Sequence, residues 1–312
     1  MRSISFTNFI RKIIFDNDFL HDKWKKKKFC LMYILRCVIR PITSITYYYE
    51  LQSMISFNEM MLIQPTLPAK IHRPYLHKGG NAKKRAQYII GHYKFVQNLP
   101  IQYKRFFLPE RQLLLLQFTG KYSDILSVYC SSCGFDREGE LMLSLYFREI
   151  PVCRLSFSII PTNTEHVFFV GGLQGAPKNA GPEIIRYATK SCYGLFPKRI
   201  LFEILSALAI ICNVNDIFAV SEKNHVFRQL RYRYQKRNSF VAIYSDFWES
   251  LGGQQKGYFY KLPIKAERKL LSNVTSQKRS EYRKRYLLLD SIQEKIQLTL
   301  NSKNHSMDVN GF

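Results

Sequence analysis

Acidic side chains are scarce in this chain: 23 aspartates and glutamates stand against 47 lysines and arginines, a formal net charge of +24. The deficit excludes a neutral surface and directs the search for a partner toward anions, whether nucleic acid, an anionic lipid surface or a phosphate-bearing cofactor. A basic drift in composition with no single ligand is the competing reading. Long uncharged apolar runs are missing too. The most apolar stretch, FCLMYILRCVIRPITSITYYY, is interrupted by Arg36, Arg40 and Pro41 and falls short of the ~20 residues that span a bilayer. No secretory leader is expected, since MRSISFTNFIRKIIFDNDFL carries charge through its apolar part and ends in no small-residue cleavage site. The expectation is a soluble or peripheral protein, cytoplasmic or at the inner membrane, without an export route of its own. The 7 cysteines are odd in number and widely spaced, which points to reduced thiols and not to a disulfide framework. Cys130 and Cys133 form one C-x-x-C, but the second ligand pair of a zinc site is missing, so they read as two loop thiols and no metal is expected.

What is present suffices for a substantial core, with hydrophobic residues at 46% of 312 positions. Residues 4–20 place Phe6, Phe9, Ile10, Ile13 and Ile14 at helical spacing, followed by WKKKK at 24–28. Such a basic amphipathic helix either lies on an anionic membrane or packs its apolar face on the protein. Prolines 65, 68 and 74 and Gly79-Gly80 read as a linker. A helix is expected over 82–98, ended by Pro100, with His92 and Tyr93 packing on it. From Leu113 the period shortens. LLLLQFTG is a short apolar run that ends at a glycine, and ELMLSLYF and VCRLSFSII read as two strands of a hairpin through REIP. HVFFVGG at 166–172 is a further strand. Helices follow over 182–194 and 198–213, then a buried strand, DIFAVS, at 216–221. A strand at FVAIY, a short helix and a last strand, GYFYKLP, close the sheet, and a basic helix occupies 276–300. No internal repeat is visible. Three regions are expected: 1–78, a basic helical region and linker; 79–265, the core; and 266–312, a basic helix and tail.

This order, paired strands and then a strand running through glycines into a helix and another strand, resembles that of N-acetyltransferase-like folds. In those folds the turn and the helix N-terminus hold the pyrophosphate of coenzyme A, because backbone N–H groups and the helix dipole favour an anion. On that reading Gly171, Gly172, Gln174, Gly175 and Lys178 would form the cofactor turn, with acyl-coenzyme A left open as the cofactor. The rival is a plain structural turn with Gln174 bonded internally. A transferase also needs a proton acceptor. The best cluster is AVSEKNHVF, where Ser221, Asn224 and His225 follow a buried strand end, the place where such sheets put ligands. Tyr244 and Asp246 could shape a pocket, and Trp248 reads as core. The fold class expected is therefore α+β: a mixed sheet with acyltransferase-like order, flanked by helical N- and C-terminal segments.

Several separated blocks carry a more specific resemblance. GGLQG, IIRYATKSCYGLFPKRILFEIL, AVSEKNHVF, YSDFWESLGG and KRSEYRKRYLLLD fall in order over roughly residues 80–295 and resemble the VirK/YbjX family of enteric bacteria (DUF535). The resemblance implies a virulence-associated factor linked to envelope remodelling, to resistance to cationic antimicrobial peptides and, indirectly, to surface display of an outer-membrane virulence protein. It supplies no catalytic residues and leaves enzymatic status and oligomeric state open. The alternative function is a non-enzymatic, chaperone-like or regulatory factor that binds an anionic partner. RQLRYRYQKR at 228–237 interleaves tyrosine with arginine as single-strand binders do, but no recognised nucleic-acid motif accompanies it, and a solvated basic face is the preferred reading.

Overall fold

The computed structural model describes residues 5–15, 22–228 and 244–301. The expected strand at FVAIY and nearly all of RQLRYRYQKR lie outside these residues. The N-terminal helices are α1 (Phe6–Phe15), α2 (Lys27–Ile39), α3 (Pro41–Gln52) and α4 (Phe57–Ile63). Helices α5 (Ala82–Asn98) and α6 (Ile101–Phe107) lead into the sheet. Five strands follow in antiparallel succession: β1 (Leu113–Thr119), β2 (Ile125–Ser132), β3 (Leu141–Phe147), β4 (Ile150–Pro161) and β5 (His166–Gly175). Helices α7 (Glu183–Ser191) and α8 (Pro197–Ile211) then cross over to β6 (Asp216–Val220), which pairs parallel with β5. Helix α9 (Ser245–Ser250), strands β7 (Gln254–Lys256) and β8 (Phe259–Leu262), and helix α10 (Ser276–Asn301) complete the chain. The sheet order is β1-β2-β3-β4-β5-β6-β8-β7. The protein is thus α+β, a mixed sheet flanked by helices at both ends of the chain.

The local causes are legible. Asn81 accepts a hydrogen bond from the Lys84 N–H and caps α5, and the extended Leu99-Pro100 stops it. Arg148 and Glu149 both take positive φ, 48° and 67°, which makes the β3–β4 connection a two-residue turn of the type whose twist matches a hairpin, here without glycine or asparagine. Strand β2 was not expected. ILSVYCSS mixes polar and apolar residues without a clean alternation, and only its place between β1 and β3 makes it a strand.

Strand β4 is central, packed by both α5 and α8. Apart from the half-buried Arg154, its residues from Val152 to Ile160 are buried on both faces, so its expected polar face, including Ser156 and Ser158, is covered. Helix α10 contributes Leu289, Ile292 and Ile296 to the same core. The stretch at 65–80 differs from the linker reading. Leu67, Lys70, Ile71, Tyr75 and Leu76 are buried, because the prolines set turns that fold the segment onto the sheet end and because polar partners wait there. The apolar stripe of α1 finds a protein partner as well. Phe9 and Ile13 are buried, and the Phe9 ring stacks on Tyr48 at 4.9 Å and meets Trp24 edge-on at 5.9 Å.

Candidate functional site

The site lies where β5 and β6 part. Their parallel pairing runs from Val167↔Asp216 to Val170↔Ala219 and ends there, while β5 continues to Gly175. A bulge sits at the parting point: Phe157 faces Val170 and Ser156 faces Gly172, which leaves Gly171 as the extra residue. Residues 171–175 are therefore strand, not the expected turn, and the turn falls at 176–182.

The glycines at this point serve a close approach. The segment 133–140 passes across the end of β4 onto β5. A Cβ on Gly139 would meet the Phe157 backbone at 2.5 Å, one on Gly171 would collide with the Glu138 carbonyl oxygen, and one on Gly172 with Glu138 Oε2. Only glycine permits this contact, and its result is a fully buried Glu138. Gln174 turns inward and donates from Nε2 to both Glu138 oxygens, at 3.2 and 3.1 Å. Gly175 differs from its neighbours, because the space where its side chain would stand is open. Lys178 lies in the turn before α7, with its side chain outside the described set.

The second half of the site comes from the other strand. His225 is buried, with Nε2 3.5 Å from Glu138 Oε1 and its ring against Phe227 and Tyr244. Its Nδ1 accepts from the Phe227 N–H at 3.4 Å, which leaves Nε2 as the ring atom that faces the carboxylate. The Tyr244 hydroxyl accepts from the Leu173 N–H at 3.5 Å, in the gap beside β5, and burial pushes its phenol well above the ordinary range, so it stays protonated. Ser221 is buried, its hydroxyl donating to the Tyr258 carbonyl at 2.8 Å. Asn224 is buried, and its carbonyl receives the Lys78 N–H. Glu222 accepts from the N–H groups of Tyr244 and Ser245 and from the Ser245 hydroxyl, and so ties this loop to the start of α9. Burial works to raise its carboxyl, and these hydrogen bonds hold it below its ordinary range. Trp248 is core as expected, its indole N–H on the Val220 carbonyl. The two halves expected from sequence, 171–175 and 221–225, do meet, and they meet through Glu138.

Beside this lies a second acid that sequence reading missed. Glu140, two residues from Glu138, is almost fully buried and accepts four donors: Lys70 Nζ and the Tyr75 hydroxyl on Oε1, both at 2.7 Å, and Gln64 Nε2 at 2.8 Å and the Tyr93 hydroxyl at 2.7 Å on Oε2. Four donors on two oxygens require the ionised form. Burial alone would raise this carboxyl, but Lys70 and then His92 oppose it, and the group lies below its ordinary range. The Ser158 hydroxyl accepts from the Glu140 N–H at 2.9 Å and bonds Tyr75 at 2.8 Å, closing a ring of hydrogen bonds. The available signal was REGEL, two acids with period 2 running into an apolar strand, which places both carboxylates at the buried strand end. His92 serves packing, its Nδ1 accepting the Ile159 N–H, and burial holds its imidazole down at about 4.

The remaining expectation concerned metal. Cys130 ends up in strand β2 and not in a loop, its thiol directed at the Phe106 carbonyl, whereas Cys133 is directed at Phe135. Burial pushes both thiols up to about 12.

These features define a class: an α+β protein with a mixed eight-stranded sheet, a parallel pair that parts at a bulge, and two buried glutamates brought to that point by a glycine-lined crossing. More particularly, the chain belongs to the family described as "Protein of unknown function (DUF535)", which matches residues 22–298. It is 33% identical over 274 residues to "Uncharacterized protein YbjX" of Escherichia coli (strain K12), covering 86% of this chain and 83% of the relative. A protein of Haemophilus influenzae, also uncharacterized, is 30% identical over 142 residues, 46% of each chain. No helix among the described residues is long and apolar enough to cross a membrane.

Proposed function

We propose that the protein is a virulence-associated envelope factor whose sheet end binds an acyl or phosphate-bearing ligand, in the manner of an acyltransferase. One observation carries this reading: β5 runs five residues beyond its last pair with parallel β6 and leads through a turn into α7. A strand that leaves its neighbour frees backbone donors and acceptors on one edge; residues 171–173 are buried and the Leu173 N–H is taken by the Tyr244 hydroxyl, so an extended ligand would pair at the exposed end of β5, at Gly175. The net charge of +24 concentrates anions near such an edge. The family resemblance adds envelope remodelling, peptide resistance and surface display of an outer-membrane protein as its context. Within this reading the ligand-facing positions reduce to Gly175 and the turn to α7 with Lys178. Gly171 and Gly172 are closed by Glu138, and Gln174 is turned toward it. A phosphate chain fits the open side of Gly175 and no other of the four residues. The Glu138–His225 pair is the proton-handling group nearest that edge, with Ser221 and Asn224 holding the loop that carries it.

Burial of His225 together with the engaged hydroxyl of Ser221 favours a second reading, a non-enzymatic factor in which this cluster only locks β6 to β5. Calorimetry with acyl-coenzyme A and with phospholipid headgroups tests the first. It expects micromolar binding that Gly175→Val abolishes with little change in unfolding midpoint. Absence of binding to the unaltered protein refutes the transferase reading and leaves the second.

A further inference from the structure

Helices α2 and α3 present an apolar face that no part of the described protein covers. On α2 the residues Leu31, Leu35, Val38 and Ile39 follow one another at helical spacing, and Ile42 and Ile45 continue the stripe on α3; these six side chains are between 39% and 80% exposed. The opposite faces, with Cys30, Tyr33 and Cys37 on α2 and Tyr47, Tyr48 and Leu51 on α3, are buried. A contiguous exposed patch of this kind on a protein with a complete core marks an interaction surface. The charges around it name the occupant. No aspartate or glutamate occurs between Lys23 and Tyr49. Lys26, Lys27 and Lys28 are exposed where α2 begins, and Arg40 is exposed at the elbow where the chain turns through 110° into α3. A second copy set face to face would bring lysine against lysine with no acid within the surface to answer it.

We infer that this face docks on an anionic phospholipid bilayer, with the aliphatic side chains in the headgroup–acyl boundary and the cations at the level of the lipid phosphates. The geometry is that of helices lying in the interface. A helix of 13 residues is about 20 Å long, short of the ~30 Å hydrocarbon core. The turn at Arg40–Pro41 and the buried back faces keep both helices on the protein, while apolar side chains and long basic ones share the free side. The surface is distinct from the stripe of α1, which the protein itself uses. The inference rests on this exposed face and its charge, and it stands or falls apart from the transferase reading.

Flotation of the purified full-length chain with phosphatidylethanolamine–phosphatidylglycerol vesicles, against pure phosphatidylcholine vesicles, tests it. The protein should float with the anionic vesicles and lose the association as salt rises. The combined variant Leu35→Ser, Val38→Ser and Ile42→Ser should weaken partition at least about tenfold, since the apolar area supplies much of interfacial binding. Its unfolding midpoint should not change, because all three side chains are exposed. The variant Lys26→Gln, Lys27→Gln and Lys28→Gln should weaken it by about fivefold per lysine at low salt and should flatten the salt dependence. Equal flotation with phosphatidylcholine, no flotation, or full retention by the serine variant overturns the inference. So does a dimer that the serine variant dissolves without any vesicle binding.

Discussion

Replacing Glu140 by glutamine keeps the shape of the side chain and removes its charge, which isolates what the four-donor site contributes. In the native protein each carboxylate oxygen accepts two donors, Lys70 and Tyr75 on one, Gln64 and Tyr93 on the other. The introduced amide offers one acceptor oxygen and one NH2 group. Whichever way it turns, its NH2 faces two groups that donate, and the Lys70 ammonium loses its countercharge in a site where both partners are about 1% exposed. Breaking a buried ion pair from one side costs ~3–5 kcal/mol. For a chain of this size that is a fall in midpoint on the order of 10 °C. The double variant Lys70→Met with Glu140→Gln should cost less than the sum of the two single changes. Without Lys70, which Gln64 Oε1 now accepts from at 2.6 Å, the Gln64 amide is free to turn and accept from the introduced NH2. The pH dependence has a definite sign. The Glu140 carboxyl lies lower in the folded chain than in the unfolded one, where it titrates near ~4.3. Its contribution is therefore complete above that value and is lost as pH falls through the folded one. The stability gap between the native protein and Glu140→Gln should be flat from neutrality to about pH 5 and should shrink below about 4.3. Urea unfolding followed by tryptophan fluorescence and circular dichroism measures all of this. A Glu140→Gln variant within about 1 kcal/mol of the native protein, or strictly additive single changes, would refute the reasoning.

The glycines give a graded test. Gly171→Ala and Gly172→Ala should each lower the unfolding free energy markedly, by about 2 kcal/mol or more, because their methyl groups collide with Glu138, whereas Gly175→Ala should stay within about 0.5 kcal/mol; equal costs at the three positions would mean that Glu138 does not lie there. The thiols should be inert in the native state. All seven cysteines are buried, and burial pushes Cys130, Cys133, Cys153, Cys192 and Cys212 up to about 12, so titration with an aromatic disulfide at pH 8 should be slow until denaturant releases seven equivalents. Two or more thiols reacting at once in the folded protein would contradict the buried placement.

The periodicities of the sequence determined most of the elements by themselves. Helices α5, α8 and α10, the β3–β4 hairpin and strand β6 stand where 3.6- and 2-residue patterns and their stop signals place them, since those patterns are set by the backbone geometry of each element. The ordered blocks over 80–295 likewise pointed to the family without any structure. What the tertiary structure alone decided are contacts between residues far apart in the chain. Lys70 and Glu140 are 70 positions apart, and no local pattern distinguishes a buried lysine in a proline-rich stretch from an exposed one in a linker. GGLQG reads as a phosphate turn because glycine is read locally as conformational freedom. In the fold, Gly171 and Gly172 are required for the space they leave to Glu138, a residue 33 positions earlier than the first of them. The same holds for the two apolar N-terminal stripes. Both α1 and α2 mix apolar with basic residues in sequence, and which apolar face is covered is decided only in packing. The stripe of α1 meets Trp24 and Tyr48, whereas that of α2 meets nothing among the described residues, because α2 spends its other face, with Cys30, Tyr33 and Cys37, on the core.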